Sequence, residues 1–145
     1  MAGPLSEDAI VLSGSARSRD EAITEAGELL VAAGAVEPAY VDAMHDREAS
    51  VSTYMGNLLA IPHGTNDAKA SIRTTGLSFV RYPGGVDWNG HPVKFVLGIA
   101  SAGDDHLAML GKIAEVFMDA DRVAALEVAQ SKADILATLG GVGQG

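Results

Sequence analysis

A chain of 145 residues with 48% hydrophobic and 20% charged side chains has the size and balance of one ordinary globular domain. Its formal net charge of −9, with basic residues scattered along the chain, argues against a nucleic-acid partner, which calls for a concentrated basic face. It has no cysteine, which excludes disulfides, thiolate metal sites and a cysteine nucleophile.

Ser18 with Glu21 reads as a capping box, and Ala22, Ile23, Ala26, Leu29, Leu30 and Ala33 follow helical spacing up to a stop at Gly34. Pro38 opens a second helix with Val41 and Met44 inward and Asp46-Arg47-Glu48 near its end. Ala49 to Tyr54 reads as a connection, Leu58 to Ile61 as a strand, and Asn66 to Ala70 as a short helical turn. Leu77 and Phe79 mark a strand reaching Tyr82, Pro83-Gly84-Gly85 a turn, and Asn89-Gly90 between Trp88 and Val93 a hairpin. The run Val93-Lys94-Phe95-Val96-Leu97-Gly98-Ile99-Ala100 reads as a central strand covered on both faces.

Asp104 or Asp105 then caps a helix carrying Leu107, Leu110, Ile113, Ala114 and Phe117 inward. Asp121 starts the next helix, and Ser131 with Asp134 repeats the capping pattern before Ile135, Leu136 and Leu139. The expectation is one α/β domain over residues 1–145, with a frayed tail from residue 140. Its mixed parallel and antiparallel sheet should have about four to five strands, with helices packed on its faces. Apolar stretches such as Phe95 to Ala100 are too short to cross a bilayer, and Met1 to Ala16 has no basic start followed by an apolar run. A cytoplasmic location without direct membrane insertion is therefore expected.

The chemistry is expected at Ala60-Ile61-Pro62-His63-Gly64-Thr65. Pro62 biases Ile61 toward extended backbone, Gly64 permits close approach of a ligand, and Thr65 can cap a short helix whose N–H groups face an anion. His106 has a similar setting, following a strand and the small-residue loop Ser101-Ala102-Gly103. Two imidazoles at the exits of neighbouring strands would meet in the strand-end crevice where open α/β sheets bind ligands. Arg47 adds a fixed cation suited to phosphate oxygens, unless it pairs with Asp46 or Glu48. His45 and His91 are expected to have no direct role. Zinc is not expected, because the two histidines and Asp104 or Asp105 lack a close ligand pair on one element. No Gly-x-Ser-x-Gly elbow is present.

Val36-Glu37-Pro38-Ala39-Tyr40-Val41-Asp42-Ala43-Met44, Asp46-Arg47-Glu48, Ala60 to Thr65, and Leu97-Gly98-Ile99-Ala100 followed by His106 closely resemble the mannitol-type enzyme IIA of the bacterial phosphoenolpyruvate:sugar phosphotransferase system. The likeness spans almost the whole chain, with a tighter connection at Trp88-Asn89-Gly90-His91 than the mannitol proteins have. It implies a phosphotransferase component whose phosphoryl-accepting nucleophile is His63. His106 and Arg47 would stabilise the phosphoryl group, with backbone help from Gly64 and Thr65. No metal or cofactor is implied. The implied donor is the phosphocarrier protein HPr, and the implied acceptor is the cysteine of a cognate enzyme IIB. The missing cysteine and missing membrane spans then fit the IIA step of sugar uptake. The alternative from another class is a regulatory IIA-like phospho-acceptor, of nitrogen or fructose type, that signals by phosphorylation-dependent protein binding. The partner surface is expected to be an apolar rim around His63 including Met55, Leu58 and Ile61.

Overall fold

The structure is a computed structural model that describes residues 5–101 and 105–139, apart from the side chains at 66 and 105–107. The chain runs β1 (Ile10–Val11), α1 (Arg19–Ala32), α2 (Ala39–Ser50), β2 (Tyr54–Gly56), β3 (Leu59–Ala60), a 3₁₀ helix (Asn66–Ser71), β4 (Gly76–Trp88), β5 (His91–Ala100), α3 (Asp105–Phe117), α4 (Ala120–Val128) and α5 (Lys132–Leu139), after a 3₁₀ turn at Glu7–Ala9. The five strands form one mixed sheet in the order β1-β4-β5-β3-β2. β1 runs parallel to β4 and β3 parallel to β5, while β4–β5 and β2–β3 are antiparallel hairpins.

Each face of the sheet has its own core. Leu77, Phe79, Phe95, Leu97 and Ile99 pack with Met109, Ile113, Phe117, Leu126 and Ile135 of the C-terminal helices. Val80, Tyr82, Trp88, Val93 and Val96 pack with Ala22, Ile23, Ala26, Leu30 and Met44 of α1 and α2. From Phe95 to Ala100 alternate residues thus serve opposite cores, which is why that stretch reads as unbroken hydrophobicity. Gly98 lets α1 approach closely: a Cβ there would lie 2.5 Å from Ser78 Oγ and 3.2 Å from the Ala26 Cβ.

Local signals account for several helix ends. The Ser18 side chain accepts from the Glu21 N–H, the Glu21 carboxylate accepts from the Arg17 N–H, and Gly34 takes φ +79° just past α1. Ser131 accepts from the Asp134 N–H ahead of α5. α4 is capped by Asp119, which accepts from the N–H groups of Asp121 and Arg122, so the helix begins before the expected Asp121. The expected cap at Asp104 and the tail from Gly140 lie outside the described residues.

The strands depart from the sequence reading in two places. Pro83-Gly84-Gly85 is no turn: residues 82–85 lie opposite Lys94 alone, and β4 runs through this irregularity to Trp88. The true reversal is Asn89-Gly90, with φ +56° and +92°, as the hairpin signal predicts. Of Ala49 to Tyr54, read as connection, the first two residues end α2 and Tyr54 begins the edge strand β2, which reverses through Asn57 and Leu58, both at positive φ. Leucine in that conformation leaves no composition signal, because nothing local favours it.

Two buried charges organise the periphery. Arg81, 9% exposed, donates to the carbonyls of Leu12, Leu126, Glu127 and Ala129, meeting the end of α4 where its carbonyls lack partners. Glu48, 5% exposed, accepts from the Thr53 N–H and hydroxyl and from the Trp88 indole N–H.

Candidate functional site

The parallel register of β3 on β5 places His63. Leu59 opposes Phe95 and Ala60 opposes Val96, and the same offset continues to a single bridge between His63 and Ile99. The Ile99 N–H donates to the Pro62 carbonyl at 2.9 Å, and the Ile61 N–H to the Thr53 carbonyl at 3.0 Å. Pro62, lacking an N–H, takes no donor place in this ladder and serves as acceptor only. The imidazole emerges at the end of the sheet between two hydrogen-bonded strands.

His63 Nδ1 lies 2.9 Å from the Ile61 carbonyl oxygen. A carbonyl can only accept, so in the neutral ring Nδ1 carries the hydrogen and Nε2 carries the lone pair. The backbone two residues upstream thus selects the tautomer and fixes the ring's direction.

Tyr40 of α2 anchors the next residue. Its buried hydroxyl accepts from the Gly64 N–H at 2.9 Å and donates to the Ile99 carbonyl at 2.8 Å. One phenol therefore joins α2, the end of β5 and the loop carrying His63. Burial pushes the Tyr40 pKa up, opposed in part by the Gly64 N–H. Gly64 is required by this contact: a Cβ there would lie 2.6 Å from Tyr40 Cε1.

These residues line a cleft of about 520 Å³. Arg47 reaches it from the last turn of α2, and Lys69 and Asp67 from the 3₁₀ helix, with Thr65, Ser50 and Ser101 completing the polar wall. The Arg47 guanidinium donates to the Val51 carbonyl. Neither alternative pairing holds for it, since Glu48 is turned toward Thr53 and Trp88, and no ion pair with Asp46 is found among the described residues. An imidazole, the two cations Arg47 and Lys69 against the single carboxylate of Asp67, and several hydroxyl groups in one cleft suit an anionic group such as phosphoryl better than an apolar ligand.

A model of the phosphoenolpyruvate-dependent sugar phosphotransferase system EIIA 2 family matches residues 4–141. The chain belongs to that family. The mannitol-specific phosphotransferase enzyme IIA component of Halalkalibacterium halodurans is 46% identical over 140 residues, covering 97% of each chain. The protein of the same description from Staphylococcus aureus strain Mu50 is 48% identical over 130 residues, covering 90% of each. Among solved structures, a complex of enzyme IIAMTL and phosphorylated enzyme IIBMTL from Escherichia coli matches with TM-score 0.87 and 35% identity, over 94% of this chain and 96% of that one. This family member is a component of a phosphotransferase system, and no helix among its described residues is long and apolar enough to cross a membrane.

The sequence reading and the geometry meet at some residues and part at others. His63 and Arg47, 16 residues apart in sequence, line the same cleft. His106 lies in the first turn of α3, which follows β5, the strand next to β3; its side chain is outside the described residues. Thr65 stands at the N-cap position of the 3₁₀ helix, but its side chain makes no capping bond, contrary to expectation. The Gly64 N–H points at Tyr40. Of the expected apolar rim, Met55 is 50% exposed and Leu58 half-buried, whereas Ile61 is 4% exposed and belongs to the core. His45 is half-buried and bonded to Thr24 at 2.8 Å, and exposed His91 stacks on Tyr54 with ring centres 4.4 Å apart.

Sequence reasoning assigned no role to Tyr40, Lys69 or Ser101. Tyr40 had a signal, since Tyr40, Ala43, Met44 and Arg47 share one helical stripe that starts in the core and ends at the cleft. Lys69 and Ser101 had none, because only the tertiary fold brings the 3₁₀ helix and the end of β5 to the same opening.

Proposed function

We propose that this chain is the IIA phosphoryl carrier for mannitol uptake: His63 accepts a phosphoryl group from the phosphohistidine of HPr and passes it to the cysteine of a cognate mannitol-type enzyme IIB. The observation that carries the reading is the Nδ1 contact to the Ile61 carbonyl, which leaves the lone pair on Nε2 in a cleft containing Arg47 and Lys69. In the first step Nε2 attacks phosphorus in line, the N–P bond forms, and the donor's N–P bond breaks with its electron pair returning to the donor imidazole. In the second step the IIB thiolate attacks phosphorus, the S–P bond forms, and His63 leaves with the N–P electron pair as neutral imidazole.

Arg47 and Lys69 offset charge on the equatorial oxygens through both steps. His106 serves the same end from the start of α3, and Thr65 supplies the backbone donor while Gly64 holds Tyr40. The similarity to the H. halodurans and S. aureus mannitol-specific components supports the sugar class, and the E. coli complex supports a IIB acceptor. A phosphoryl carrier that meets both HPr and IIB works on the cytoplasmic side of the membrane.

The test is the intact mass of wild type and His63→Ala after incubation with phosphoenolpyruvate, enzyme I and HPr. One acid-labile phosphoryl on wild type and none on the variant is expected. An unlabelled wild type beside phosphorylated HPr would overturn the proposal.

A further inference from the structure

We propose that Ser101 is a further catalytic residue, whose hydroxyl donates a hydrogen bond to the phosphoryl group carried on His63. The inference rests on the phosphohistidine reading above and adds to it a residue that neither the motifs nor the family match assigns.

Ser101 is the first residue past β5, two positions beyond Ile99, which bridges His63. It is 8% exposed and lines the cleft with His63, Arg47 and Lys69. Its Oγ is buried yet has no hydrogen-bond partner among the described residues. The other buried hydroxyls among the described residues are paired. Ser78 donates to the Ala26 carbonyl at 2.8 Å, Thr53 to the Glu48 carboxylate at 2.6 Å, and Tyr40 to the Ile99 carbonyl. A buried hydroxyl without a partner is costly, and native folds leave few of them. This one stands at the wall of the site where an acceptor-only group arrives during the reaction. A phosphoryl oxygen would satisfy it, and the bond is strengthened because the acceptor is an anion.

The arrangement has a thermodynamic consequence. In the unphosphorylated chain the buried hydroxyl makes no bond and carries its desolvation cost; in the phosphorylated chain it stabilises the product. Ser101 therefore biases the equilibrium with HPr toward phosphorylated IIA. No proton leaves the serine and no covalent bond forms to it. A water molecule in the cleft is the competing partner for Oγ, and it would make the serine dispensable.

The experiment compares wild type with Ser101→Ala, at a fixed ratio of phosphorylated to unphosphorylated HPr, by intact mass. The variant's ratio of phosphorylated to unphosphorylated chain is expected to fall by about tenfold, the size of one hydrogen bond to a charged group. Thermal unfolding of the unphosphorylated variant is expected to match or exceed wild type, because no bond is lost there. A phosphorylation ratio equal to wild type would overturn the proposal while leaving His63 as carrier. Destabilisation of the unphosphorylated variant with an unchanged ratio would assign the serine a packing role and overturn it equally. A wild type that takes no phosphoryl group would sink both readings together.

Discussion

Replacing Tyr40 by phenylalanine removes one oxygen and tests the anchor of the loop that carries His63. That oxygen takes part in two bonds, from the Gly64 N–H at 2.9 Å and to the Ile99 carbonyl at 2.8 Å. Each is worth about 1 kcal/mol net, and the Ile99 carbonyl, in a fully buried residue, is left without that donor. Gly64 is half-buried, so water can repair part of the loss on its side. The expected cost is about 2 kcal/mol. With a urea m-value of about 2 kcal/mol/M for a domain of this size, the unfolding midpoint should fall by about 1 M at unchanged m. Trp88, the sole tryptophan and fully buried, reports that transition by fluorescence. The rate of phosphoryl acceptance from HPr should fall several-fold in native conditions, because the loop that carries His63 loses its tie to α2 at Gly64 even though the Nδ1 contact to Ile61 remains. A midpoint within about 0.2 M of wild type, together with an unaltered rate, would refute the anchoring role.

Glu48→Ala leaves the Thr53 N–H, the Thr53 hydroxyl and the Trp88 indole N–H without their shared acceptor. Urea unfolding should show a loss of about 3 kcal/mol, with Glu48→Gln milder because its amide oxygen still accepts. Stability should also fall at high pH. Burial, with the Glu25 carboxylate adding to it, raises the Tyr82 pKa far above 10.0, and burial raises that of Tyr40. A raised folded-state pKa means the folded chain holds its proton longer than the unfolded one. That stability is therefore present in full below about pH 10 and is lost as pH rises beyond it. Urea midpoints measured between about pH 8 and pH 11 should show this decline, and Tyr82→Phe should flatten it.

Much of the architecture was written locally. Ser18 and Ser131 cap their helices through their own side chains, Gly34 stops α1, and Asn89-Gly90 turns the central hairpin, because each of these conformations depends on residues within a few positions. The motif residues around His63 and Arg47 were likewise legible, since a proline, an imidazole and a glycine in succession at a strand end carry their own backbone constraints. What sequence could not give were features owed to distant partners. Leu58 adopts φ +69° to turn an edge hairpin, residues 82–85 bulge opposite Lys94, and Ile61 is drawn into the core from an expected rim. The chain by itself thus determined the family, several helix ends and the candidate histidine. Only the tertiary structure decided that Tyr40 would hold the Gly64 N–H, that His63 Nδ1 would meet the Ile61 carbonyl, and that Lys69 and Ser101 would line the same cleft. The physical reason is that hydrogen-bond direction and burial depend on which strands become neighbours, here β3 beside β5, and no local spacing encodes that pairing.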